Sequence, residues 1–141
     1  MIAVDTNVLV YAHRGESDMH SAALPRVEAL CEGSDPWALP TPCIAEFLRV
    51  VTHPRVLNPP STIAESGAFL RALIESPSCR IIGPGPAHAA RLLDEIRQGD
   101  ARGNLVFDAQ IVALLREHGI RDILTNDRDF ERFQGIRVHY L

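Results

Sequence analysis

Asp5 follows the apolar run Ile2-Ala3-Val4, and Asp127 and Asp129 follow Ile123-Leu124-Thr125. Residues just past the carboxyl ends of parallel strands line the crevice where open sheets bind ligands. Asp108 has a different setting. It sits in the first turn of a helical stretch whose Ile111, Val112 and Leu115 form an apolar stripe at i+3 and i+4 spacing, so its carboxylate faces inward. Taking an isolated carboxylate out of water is costly, so Asp108 needs a cation, and the chain has no lysine to offer. A divalent metal shared with Asp5 meets that need, because carboxylate oxygens are the donors hard cations prefer. Glu46 stands apart: Ile44, Phe47, Leu48 and Val51 form the apolar side of its helix and leave Glu46 on the solvated side.

Each residue also has a plainer reading. Asp5 and Asp127 are good helix N-caps, and Asp129 fits an early helical position favoured by the macrodipole. Thr6, Asn7, Asn104 and Thr125 can orient ligands or a water, or serve turns and caps. His53 stands before Pro54 at a helix end, where a histidine suits the dipole better than general-base work. Trp37 belongs to the core, and the six histidines are too scattered to suggest zinc.

The elements that must position these residues alternate. Strands are expected at Ile2 to Val4, Trp37 to Leu39, Cys79 to Ile82, Ile123 to Thr125 and Ile136 to Tyr140. Helices are expected after Asp5-Thr6-Asn7, from about Asp18 to Glu32, from Pro42 to His53, after the capping box Thr62-x-x-Glu65, and from about Leu105 to His118 with Gly119 at C′. Pro25 either kinks the second of these or marks its start. Between Pro86 and Gly99 a further helix is expected to bury Ala89, Ala90, Leu92, Leu93 and Ile96, with Gly99 ending it, and a short helical turn to span Asp127 to Phe133. This alternation predicts a three-layer α/β/α domain with a mainly parallel five-stranded sheet, one domain over residues 1–141.

Composition narrows the chemistry further. The chain has 141 residues, 46% hydrophobic and 23% charged, as ordinary folded domains have. All 14 basic residues are arginines, which removes phosphate-loop nucleotidases, Schiff-base enzymes and the phosphatases that place a lysine beside their aspartates. No Gly-x-Ser-x-Gly elbow occurs, and no Gly-x-Gly-x-x-Gly follows the first strand. Cys31, Cys43 and Cys79 form no Cys-x-x-Cys pair, and no apolar run is of membrane-spanning length or follows a basic leader, so a reduced, cytoplasmic protein without membrane attachment is expected.

Four stretches in order then resemble the PIN-domain nucleases, specifically the VapC-type toxins of bacterial type II toxin–antitoxin modules. They are Ile2 to Leu9 around Asp5, Pro42 to Leu48 around Glu46, Asn104 to Ala109 around Asp108, and Thr125 to Phe130 around Asp127. The resemblance covers essentially the whole chain. It implies metal-liganding, catalytic roles for Asp5, Glu46, Asp108 and Asp127, and a Mg²⁺-dependent endoribonuclease, with Mn²⁺ able to substitute, that hydrolyses RNA with a metal-activated water. It also implies a homodimer and a cognate VapB-type antitoxin whose C-terminal segment lies across the groove. The alternative is a PIN-like scaffold that binds RNA or protein without cutting.

The chemistry has its own reason to want this cluster. Phosphodiester hydrolysis requires an activated water and neutralisation of charge growing on the phosphate oxygens, and carboxylate-held divalent ions do both. Two such ions would bring the net charge of −4 to zero, letting a polyanion approach. Arg14, Arg49, Arg55, Arg102 and Arg128 are candidates for phosphate contacts, since the guanidinium fork matches phosphate geometry.

Overall fold

A computed structural model describes residues 1–141. Strand β1 (Ile2–Val4) runs through Asp5 straight into α1 (Thr6–His13), because the Asp5 carboxylate accepts from the Thr6 N–H and caps the helix. The chain continues through α2 (His20–Glu32) to β2 (Trp37–Pro40), then through α3 (Thr41–Val51) and α4 (Ile63–Ile74) to β3 (Cys79–Ile82). From there α5 (His88–Gln98) and α6 (Leu105–Glu117) lead to β4 (Asp122–Leu124), and a 3₁₀ turn at Arg128–Arg132 precedes β5 (Arg137–His139). The sheet order is β3-β2-β1-β4-β5, and every pairing is parallel.

That order explains where a site can form. From β1 the chain steps outward through β2 to β3, then returns across β1 to β4 and on to β5. Right-handed crossovers stepping in opposite directions put their helices on opposite faces of the sheet. Helices α1 to α4 pack together on one face, and α5 and α6 pack together on the other, giving the expected three layers. The reversal lies between β1 and β4, whose register sets Val4 beside Leu124. Asp5 and Thr125 therefore leave the sheet as neighbours, with the Asp5 N–H donating to the Leu124 carbonyl at 3.1 Å.

The core forms where both layers meet the sheet: Trp37, Phe47, Leu9 and Leu39 are buried among its largest members, and α6 buries five consecutive residues, Ile111 to Leu115. Helix ends follow local chemistry. Thr62 and Glu65 exchange both hydrogen bonds of the expected capping box. Gly119, at φ 68°, ends α6 in a Schellman motif, with Ile120 N–H on the Leu115 carbonyl and Gly119 N–H on that of Arg116. No helix is long and apolar enough to cross a membrane.

Several elements differ from the sequence expectation. Helix α2 begins at His20 rather than Asp18 and runs through Pro25 unbroken; Pro25 and Ser21, whose carbonyl loses its partner, are both exposed, so water can satisfy that carbonyl. Helix α3 ends at Val51, two residues early. Gly99 ends α5 as expected, and the left-handed residue is the next one, Asp100, at φ 44°. Gly99 is needed for space, because a Cβ there would lie 2.6 Å from the Phe133 ring. Helix α5 buries only part of the expected apolar set: Leu92 and Ile96 are half-buried against the core, Ala89, Ala90 and Leu93 are exposed, and its one fully buried residue is Glu95. Glu95 pairs with the Arg116 guanidinium of α6, so a salt bridge sits where the sequence pattern suggests an apolar seam.

Candidate active site

The site is built outward from Asp5, only 5% exposed at the sheet reversal. Its Oδ1 accepts from Thr6 N–H at 2.7 Å, and its Oδ2 accepts from the Asn7 side-chain amide at 2.7 Å and the Thr125 hydroxyl at 2.6 Å. No arginine reaches it. Thr125 is fully buried, and its Oγ1 also accepts from Asn7 Nδ2 at 2.9 Å and Asp127 N–H at 2.9 Å. Asn7 completes the bridge by accepting from Asn126 N–H through Oδ1 at 3.3 Å. The expected supporting residues Thr6, Asn7 and Thr125 thus lock the end of β1 to the end of β4, whereas Asn104 is exposed at the start of α6 and caps nothing. Asn126, which no local sequence signal singles out, ties the same turn to the carboxyl terminus by accepting from Leu141 N–H at 3.0 Å.

Asp108, Asp127 and Asp129 bring one carboxylate oxygen each within 4.8 Å of one another. One oxygen of Asp127 caps the 3₁₀ turn by accepting from Asp129 N–H at 2.8 Å, so its capping and site readings coexist. Asp5, Glu46, Asp108 and Asp127 line one cavity of about 320 Å³ together with Thr6, Asn7, Val10, Tyr11 and Val50. Asp108 is half-buried and open to this cavity rather than sealed into the core.

The electrostatics record the crowding. Burial pushes the Asp5 carboxyl up to about 6, hydrogen bonds from Thr125 and Thr6 pull it back in part, and the charges of Glu46 and Asp127 raise it further. Asp108 is pushed up to about 7, first by burial and then by Asp127, Asp5, Asp129 and Glu46. Carboxyls held this high at neutral pH, with only other carboxylates as charged neighbours, fit a bound cation. The donor set is all oxygen, as a hard divalent ion requires.

Glu46 reaches this cavity from α3. Its Oε2 accepts from the Thr6 hydroxyl at 2.9 Å and its Oε1 lies 3.3 Å from an Arg49 nitrogen, so it is tethered rather than freely solvated. It does lie off the apolar side of α3, as its helix phase predicts, but the cavity opens on that polar side. The other arginines lie in separate settings. Arg14 bonds Glu16, the Ser61 hydroxyl and the Pro59 carbonyl, and Arg102 pairs with Asp100. Arg55 and Arg128 are exposed. The His53 ring accepts from Arg55 N–H at 3.0 Å, a turn-closing contact.

The PIN domain family matches residues 2–136. Ribonuclease VapC25 of Mycobacterium tuberculosis is 36% identical over 137 residues, covering 97% of this chain and 96% of that protein. Ribonuclease VapC48 of the same species is 37% identical over 138 residues, covering 95% and 92%. Among solved structures, the sarcin-ricin loop cleaving toxin VapC20 of Mycobacterium tuberculosis has a TM-score of 0.70 at 18% identity, with 93% of both chains covered. VapBC2 from Rickettsia felis, bound to a promoter DNA fragment, has a TM-score of 0.69 at 19% identity, covering 99% of this chain and 98% of that one. A whole-length match of this kind, over a fold whose sheet reversal gathers the motif aspartates, has one meaning: this chain belongs to the PIN-domain family, among its VapC ribonucleases.

Proposed function

We propose that this chain is the toxin of a type II toxin–antitoxin module, a divalent-metal-dependent endoribonuclease that uses Mg²⁺ with Mn²⁺ as a substitute. The observation that carries the metal requirement is the pair of carboxyls at Asp5 and Asp108, raised to about 6 and 7 on a cavity that no arginine lines and that gathers Glu46 and Asp127 beside them. Asp5, Asp108, Asp127 and Glu46 would hold the metal, and Asp129 is close enough to Asp108 and Asp127 to join them. Bound there, the ion supplies charge neutralisation at the scissile phosphate and activation of a water.

The chain's own residues do the positioning. Thr125 and Asn7 hold one oxygen of Asp5 at a fixed orientation, and the Thr6 N–H holds the other. The Thr6 hydroxyl fixes Glu46 toward the same cavity. Arg49, paired with Glu46 on the cavity rim, is the candidate arginine best placed to meet an adjacent phosphate. The acidic cleft also suits an arginine-bearing segment of a VapB-type antitoxin, since a cation is attracted where a metal is. The family resemblance supports a homodimer acting on RNA in the cytoplasm.

The test is cleavage of RNA by the purified protein. Mg²⁺ or Mn²⁺ supports cutting and EDTA abolishes it; cutting that persists in EDTA overturns metal dependence. RNA binding without any cutting at saturating metal would leave the non-cutting scaffold reading in its place.

A further inference from the structure

The acidic cavity opens into a larger groove of about 890 Å³ between α3 and the start of α6, sharing Glu46, Asp108 and Asp127 with it. One groove residue breaks the burial pattern of the chain's phenylalanines. Helix α6 buries most of its apolar side chains, yet Phe107, directly before Asp108, is 60% exposed. The other four phenylalanines are buried or half-buried, and the exposed Tyr140 has its hydroxyl on Glu131. Phe107 is flanked at i−3 by Asn104 and at i+3 by Gln110, and both amides line the groove with it. The Asn104 amide is free of capping duty.

We propose that Phe107 is a stacking platform for a base of single-stranded RNA beside the scissile phosphate, with Asn104 and Gln110 reading that base's edge. This rests on the ribonuclease reading above. An aromatic face takes any base, and side-chain amides on either side provide both donors and acceptors for its edge. The groove is continuous with the carboxylates, so a base stacked there belongs to a nucleotide adjoining the reacting phosphate. Arg49 on the opposite wall faces the same strand. The lining argues against a protein helix as occupant, because only four of the 14 lining residues are hydrophobic. A docked amphipathic helix asks for a continuous apolar seat.

The test measures binding apart from cutting, in an Asp108→Asn background. The probes are a short random-sequence RNA and the same backbone made abasic. Phe107→Ala should weaken binding of the random RNA about tenfold or more, the order of loss for one stacked base, and leave the abasic strand's affinity unchanged; Phe107→Tyr should restore it. In Phe107→Trp, RNA should quench the new indole, since the chain's single tryptophan, Trp37, is buried in the core. Equal losses on both probes, or none on either, overturn the platform. So does a Phe107→Ala variant that keeps its RNA affinity but escapes antitoxin inhibition or loses its dimer, which would give the ring to a protein partner. Separately, a wild-type protein that cuts no RNA, while RNA still quenches the indole of the Phe107→Trp variant, would overturn the ribonuclease reading and leave the stacking site standing.

Discussion

At the scale of single residues, the two central aspartates are different kinds of probe. Asp108 owes its raised carboxyl to burial and neighbouring charge, with no hydrogen bond to it, so Asp108→Asn changes charge with little structural cost. Cleavage by this variant should fall at least ~100-fold, a loss of about 2.7 kcal/mol of transition-state stabilisation. Asp5→Asn should reduce cleavage as much, but its Oδ2 accepts from two donors and an amide nitrogen placed there would repel both. That variant should also lose about 1–3 kcal/mol of stability in denaturant titration. Undiminished cleavage by both variants would falsify their metal-holding role. Glu46→Gln keeps an acceptor for the Thr6 hydroxyl, so activity should fall while titration calorimetry still finds one tight metal site; wild-type activity would return Glu46 to a rim residue. The sequence exposes Asp5, Asp108 and Asp127 because strand ends and helix phase are local properties. It cannot expose the tether from Thr6 to Glu46, a contact across 40 residues, and it ranks Asp129 only as auxiliary because proximity to Asp108 depends on how the β4 turn meets α6.

At the scale of elements, the strands, the helices and their caps are legible in the sequence, and the buried side of α5 is not. Short apolar runs ended by Asp, Pro or Gly marked β1 to β3, and Thr62-x-x-Glu65 and Gly119 marked helix ends, because each rests on interactions within a few residues. Helix α5 departs from its sequence pattern because its apolar residues imply a buried side that only the tertiary partner can confirm. Its partner α6 instead presents Arg116 to Glu95, and Leu93 is left 68% exposed. Glu95 is 2% exposed and its second oxygen has no partner, so this pair is sensitive to loss of its cation. Arg116→Ala should therefore destabilise the fold by about 3–5 kcal/mol, the range for stranding one charge of a buried pair. A double variant, Glu95→Leu with Arg116→Leu, should recover most of that loss, since apolar replacement of both partners removes the stranded charge. If Arg116→Ala costs under ~1 kcal/mol in urea unfolding, the pair is a surface-like contact and α5 is held by something else.

At the scale of the whole molecule, the sheet reversal gathers carboxylates that repel one another, so stability should depend on both metal and pH. Asp5 and Asp108 have carboxyls raised above the ordinary 3.8, to about 6 and 7. The folded protein then binds more protons than the unfolded chain between about pH 4 and 7, and the stability they contribute is present below pH 3.8 and lost as pH rises through 6 and 7. His13, packed against Phe47 and Phe69, acts in the opposite sense: burial, then the Arg14 charge, lowers it below 6.5, so its contribution is lost as pH falls below 6.5. Above about pH 6.5 the carboxylates act first, joined near pH 8 by the cysteine thiols that burial raises above 9.0 in the same sense, and the melting temperature of the metal-free protein should decline from about pH 6.5 to about pH 8. Metal reverses this. At a free concentration ~10 times its dissociation constant, one site adds about 1.4 kcal/mol, a rise of roughly 3–6 °C for a domain of this length. Because protons compete for the same oxygens, that rise should shrink as pH falls through about 7 toward about 6. Asp108→Asn removes one charge from the cluster, so the metal-free variant should be at least as stable as wild type at about pH 8, with a flatter pH profile and little response to Mg²⁺ or Mn²⁺. Differential scanning calorimetry of both proteins, with and without metal, decides the matter. A variant that is less stable than wild type without metal, yet keeps the full metal-induced rise, would make Asp108 a structural group and move the cation to other ligands.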